Sequence, residues 1–134
     1  MIDIESEVFD TVFKALNESE YDITMSSEFV AAPASFPSVS LIELSNVPMR
    51  RTMTQELHEN HAIVMYEINV YSDKARGRKR EAKNIAELVD NVMVSMGFVR
   101  TMYTPVPNYA DGTIFRLTMR YSAVVGKDHV VYRT

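Results

Sequence analysis

The chain has no cysteine at all. That excludes disulfides, thiolate nucleophiles and cysteine-ligated zinc together, and any metal chemistry built on nitrogen would rest on three histidines. Glycine is scarce, with four residues at 77, 97, 112 and 126. From so few, no phosphate-binding loop, dinucleotide fingerprint or Gly-x-Ser-x-Gly elbow can be assembled. No apolar run approaches the roughly 20 residues that a membrane helix needs. The first ten residues are acidic and lack a basic leader, so no secretory signal is expected.

What remains is an ordinary globular composition over 134 residues, 46% hydrophobic and 24% charged, of a size for one domain spanning 1–134. The net charge of -4 argues against general nucleic-acid binding, but it conceals a lopsided map. Residues 1–30 hold eight acids, among them Glu5, Glu7 and Asp10, against the single cation Lys14. In contrast, five of the seven residues from 74 to 80 are basic: Lys74, Arg76, Arg78, Lys79 and Arg80. Opposite charge at two places in one chain supplies attraction within a subunit or between copies set head to tail.

Periodicity orders the chain. Ile4, Val8, Val12 and Leu16, joined by Phe9 and Phe13, recur at helical steps behind a run of acids suited to a helix N-terminus. A short extended segment is expected at 21–25, a proline-rich turn at 32–37, a strand at 38–44 and a long loop at 45–60. From His61 the residues alternate, with Ala62, Val64, Tyr66, Ile68 and Val70 on one face and Ile63, Met65, Glu67, Asn69 and Tyr71 on the other. After Gly77, a stripe from Ala82 to Met96 predicts the longest helix, stopped by Gly97. Extended structure is expected at 98–104, a break at 105–108 and a turn at Asp111-Gly112. A second long strand places Phe115, Leu117, Met119, Tyr121 and Ala123 opposite Arg116, Thr118, Arg120 and Ser122. Residues 129–133 suit a last short strand or arm.

This order predicts an α+β fold: an antiparallel (mixed) sheet with two main helices packed on one face. If the two long strands pair antiparallel, Glu67 meets Arg116 or Arg120 in a cross-strand ladder worth roughly 0.2–1 kcal/mol per pair. The other sheet face, half apolar through Ile63, Met65 and Tyr71, suits another copy of the chain.

Chemistry is thinly represented. His58 and His61 flank Glu59 at the wrong step for a zincin helix, which makes them surface histidines. No catalytic, cofactor-binding or metal residue is expected. The cations at 74–80 oppose the dipole of the helix that follows, at a cost of a few tenths of a kcal/mol each, which a partner could offset. They have no interleaved aromatics for base stacking, so protein contact is favoured over nucleic acid. The nine methionines are assigned to the core.

The wording of residues 36–133 is recognisable. Phe36-Pro37 precedes a strand, then come NHAIVMYEINVYSDKARGRKREAKNIAELVDNVMVSMGFVR and PVPNYADGTIFRLTMRYSAVV, with a closing Tyr132-Arg133. This resembles the minor capsid or tail-completion proteins of long-tailed phages and prophages of Gram-positive bacteria, a group similar to lambda-type tail terminators. The resemblance implies an α+β subunit that closes into a ring, commonly a hexamer, capping the tail tube and offering a docking surface to the head. It implies no enzymatic step and no cofactor. The implied partners are copies of the chain itself, the tail tube protein and a head-completion or connector protein. DNA would pass through the lumen without specific binding, and no membrane is involved. The implied place is the virion neck, reached from the host cytoplasm during assembly.

On that basis, Lys74, Arg76, Arg78, Lys79 and Arg80 are expected to reach acids such as Glu5, Glu7 or Asp10 on an adjacent copy, or acids of a partner. Arg50 and Arg51 would line an interface or lumen, and the 45–60 loop would meet the tube. One alternative in the same setting is a head-closure or connector protein. Another, from a different class, is a small α+β enzyme or ligand-binding domain whose sheet floors a pocket around Glu67, Arg116 and Arg120.

Overall fold

The computed structural model describes residues 1–28, 33–50, 60–107 and 111–132. Helix α1 (Glu5–Asn17) opens the chain, followed by strands β1 (Thr24–Ser26), β2 (Ser38–Pro48) and β3 (His61–Ser72). Helix α2 (Arg78–Ser95) precedes β4 (Val99–Val106), β5 (Phe115–Gly126) and β6 (Val131–Tyr132). The fold is α+β. Its open six-stranded sheet has the order β1-β2-β3-β5-β4, with β6 paired to β5. Because β3 pairs with β5 along the whole of both strands, β6 must lie on the same side of β5 as β4. Only β1 runs parallel to its neighbour, which makes the sheet mixed.

α1 forms where three- and four-residue spacing puts Val8, Val12 and Leu16 on one buried side, each burial contributing roughly 1.5–3 kcal/mol. Glu5 and Glu7 sit in its first turn and Lys14 in its last, each at the favourable end of the dipole. An Asp3 Oδ1 accepts the Glu5 amide at 3.0 Å, satisfying one of the orphan donors of the helix start. Phe13 lies outside the buried stripe and stacks on Phe9 with ring centroids 6.2 Å apart.

α2 buries Ala82, Ile85, Ala86, Val89 and Met93. It ends in a Schellman turn in which Phe98 N donates to Met93 O at 3.1 Å and Gly97 N to Val94 O at 3.0 Å. Gly97 adopts a φ of +102°, a left-handed conformation that strains residues with a Cβ. Both helices bury their stripes in one core with Val39, Leu41, Val64, Tyr66, Ile68, Leu117, Met119 and Tyr121 of the sheet. They therefore cover one sheet face, as the sequence predicts. No helix among the described residues is long and apolar enough to cross a membrane.

Two boundaries marked by proline differ from expectation. The strand expected at 38–44 continues to Pro48, so residues 45–48 are strand and not loop; residues 51–59, with Arg51, His58 and Glu59, lie outside the described residues. Its alternation is broken by a register shift between Glu43 and Ser45, which makes residue 44 a bulge and hides the period of two. The break expected from Pro105 begins only after Val106. β4 is an edge strand, where a proline needs no ladder donor. Of the methionines, Met93 and Met119 are fully buried, whereas Met1 is almost entirely exposed.

Candidate functional site

The cross-strand ladder exists with a defined register. Glu67 pairs with Arg120, Asn69 with Thr118 and Tyr71 with Arg116. Arg120 Nε and Nη2 each donate to Glu67 Oε1 at 3.3 Å, while Arg116 Nε turns to Asn69 Oδ1 at 3.0 Å. Arg116 also lies 5.8 Å from the centroid of the Tyr71 ring. Burial holds the Tyr71 hydroxyl above its usual range, against the opposing pull of Arg116. Glu67, Arg116 and Arg120 line none of the grooves of about 820, 480 and 350 Å³. Two residues expected to face solvent, Asn69 and Tyr71, are instead buried within this face.

The two charge centres occupy opposite ends of the helical layer. Asn84 Nδ2 near the start of α2 donates to the hydroxyl of Tyr21, just past the end of α1, at 3.2 Å, so the helices run antiparallel. Glu5, Glu7 and Asp10 therefore stand at the end of the layer away from residues 74–80. Glu7 Oε1 lies 2.7 Å from His129 Nδ1, at the turn that follows β5. Among the described residues, Lys74, Arg76, Arg78, Lys79 and Arg80 form no ion pair. Ser72 Oγ donates to Glu81 Oε1 at 2.8 Å, and Glu81 is the one acid in the first turn of α2. With α2 18 residues long, the poles stand on the order of 25 Å apart. Arg50 is exposed just beyond β2.

A groove of about 820 Å³ lies between α2 and the edge strand β4, lined by Lys79, Arg80, Lys83, Glu87, Arg100 and Tyr103 among others. Arg100 Nη1 pairs with Asp90 Oδ1 at 3.0 Å, and the Tyr121 hydroxyl donates to the same oxygen at 2.7 Å. Burial and the bond to Asp90 push the Tyr121 hydroxyl well above its usual range.

The face away from the helices has an apolar rung at one end. Val47, Ile63, Val124 and Tyr132 are successive register partners across β2, β3, β5 and β6. Val47 is 53%, Ile63 40% and Tyr132 44% exposed. The next rung adds Met65 and Val99 around Ser122. His61, which sequence left as a surface histidine, is half-buried with its ring edge-on to Tyr132 at 5.7 Å.

One further group escaped the sequence. The carboxylates of Asp3, Glu5 and Glu43 approach so that one oxygen from each lies within 4.8 Å of the others. The bulge at residue 44 creates this niche: Glu43 is the register partner of Tyr66 and Asn46 of Val64, so both point toward the helices. Asn46 Nδ2 donates to Ile2 O at 2.6 Å, tying β2 to the start of the chain. Burial, and then the neighbouring Glu5, raise the carboxyl of Glu43 above its usual range. Burial followed by the charges of Glu43, Glu5, Asp3 and Glu7 drives the Tyr66 hydroxyl far above its own. The available signal was parity: Val39, Leu41 and Glu43 share one face, and a carboxylate continuing an apolar face marks a site to inspect.

No protein-family profile matches this chain. No curated protein matches it at a significant level either.

Proposed function

We propose that this protein is a non-enzymatic structural subunit of the phage head-tail junction, a tail terminator that closes into a ring of copies and caps the tail tube. The observation that carries the reading is the sheet face with the Val47-Ile63-Val124-Tyr132 rung, apolar, contiguous over four strands and covered by no described element. Such a face suits a protein surface, and the separated charge poles give neighbouring copies a direction in which to associate. A heterologous contact between the cationic end of one copy and the acidic end of the next closes into a ring when its rotation is right. The satisfied Glu67-Arg120 pair further supports a structural reading over a catalytic one, since neither side chain faces a groove. In this proposal the virion neck is the protein's place and the tube protein and head connector are its partners.

Deleting the gene is expected to give overlong tails by electron microscopy. The charge-reversal pair Lys79→Glu with Arg80→Glu is expected to reproduce them, because rim charges set association rate and partner choice. Ile63→Glu should do the same while leaving the circular dichroism of the folded subunit unchanged, since Ile63 is outside the core. Tails of normal length in the deletion strain would end the proposal. Binding to portal-containing heads but never to tubes would move the protein to the connector station.

A further inference from the structure

We propose that Asp3, Glu5 and Glu43, with the side-chain oxygen of Asn46, form a binding site for Ca2+, beside Tyr66, the register partner of Glu43. The Tyr66 hydroxyl feels the charge of all three acids. The inference is independent of the ring proposal and concerns the opposite sheet face from the apolar rung.

Geometry is the first argument. Ca2+ binds oxygen at about 2.3–2.6 Å, so two ligands of one ion lie at most about 5 Å apart. The three carboxylates satisfy that bound pairwise, at 4.8 Å or less. The niche has a volume of about 350 Å³ and is also lined by Ser45 and Asn46, leaving room for waters to complete six to eight ligands. All its side-chain donors are oxygens, the set that selects hard cations, and three carboxylates exceed the one or two that Mg2+ generally takes from protein.

Unmet hydrogen bonding is the second, independent argument. Tyr66 is fully buried, and its hydroxyl has no hydrogen-bond partner among the described residues. It stands across the β2–β3 register from Glu43, on the face toward the niche, with its ring fixed edge-on to Phe98 at 5.7 Å. Glu43 Oε1 and Asn46 Oδ1 are likewise buried atoms without a hydrogen-bond partner. Glu43 has contacts to Glu5 and Asn46 through its carboxyl, yet three buried oxygens on one sheet face keep unmet bonding capacity beside gathered carboxylates, which is costly unless something cationic or hydrated lies there. No lysine or arginine among the described residues pairs with any of the three acids.

The full chain, stripped with chelator, should gain about 5 °C in Tm when CaCl2 is added to ten times its Kd. Mg2+ at the same concentration should give less than half that shift. Glu43→Gln and Asp3→Asn should each weaken Ca2+ binding by about tenfold or more in calorimetry. Glu43→Gln should fold at least as stably as the parent without Ca2+, because it removes one of three like charges. The chain has no tryptophan, so Tb3+ bound here can be sensitised only by tyrosine. Tyr66→Phe should therefore keep the Ca2+ shift and lose most of the Tb3+ emission. No Ca2+ shift in the parent, an equal shift from Mg2+, a parent-like response in Glu43→Gln, or undiminished Tb3+ emission from Tyr66→Phe would each overturn the assignment.

Discussion

Ile68→Ala is expected to destabilise the protein by about 3–4 kcal/mol, a large share of the roughly 5–15 kcal/mol typical of a domain. Ile68 occupies the centre of β3, between register partners Leu41 on β2 and Met119 on β5, and all three are fully buried. Truncation removes three carbons from the layer between sheet and helices. Regular strands on both sides keep the backbone from closing over the cavity, so transfer and cavity costs add. Chemical denaturation should show a lower midpoint with an unchanged slope, the signature of lost native packing without a change in exposed surface. Ile68→Val should cost only about 1 kcal/mol. A loss below about 1 kcal/mol for the alanine variant would mean that the helices do not pack over this strand.

The interior around Ile68 was legible because both long strands keep strict alternation. Ala62 to Val70 and Phe115 to Ala123 each declare a face, and together they fix the antiparallel pairing that the structure has. α1 and α2 were equally legible, since their stripes persist over three or more turns and α2 ends on a glycine with positive φ. Legibility failed where one extra residue enters a strand. The bulge at residue 44 changes parity partway along β2, and a reading that demands a period of two stops there. Proline misled for a related reason: Pro48 and Pro105 both lie in strands, at a strand end and on an edge.

The site was legible as charge but not as geometry. Composition separated the acidic and basic segments, yet only the antiparallel packing of α1 and α2 puts them at opposite ends. The Glu67-Arg120 pair was one of two partners that the sequence left open, and the register chose it. The Asp3-Glu5-Glu43 niche could not be read from spacing, because 37 residues separate its last two members before the bulge turns Glu43 and Asn46 to the same side. Sequence patterns register neighbours three or four residues apart, whereas a register shift acts across strands.

Asn69→Ala is expected to cost about 2–4 kcal/mol through a different cause from Ile68→Ala, one residue away on the opposite face. Asn69 is fully buried; its Oδ1 accepts from Thr118 Oγ1 at 2.7 Å and from Arg116 Nε at 3.0 Å, and its Nδ2 donates to Ser40 Oγ at 3.3 Å. Ser40, Asn69, Thr118 and Thr104 are successive register partners across β2, β3, β5 and β4, a polar rung laid over the sheet. Removing the amide leaves the buried hydroxyls of Thr118 and Ser40 without it, and an orphaned buried polar group costs about 1–3 kcal/mol. Thr118→Val takes away one orphan in advance, so the double variant should fall short of the summed single losses by about 1 kcal/mol. Additivity in that cycle would show that Asn69 acts by volume alone. The rung also explains why three long strands hold one register on a face without a helical cover. A slip of one residue would turn Asn69 into the apolar core and Ile68 out to the open face, losing the amide's bonds and the core packing together.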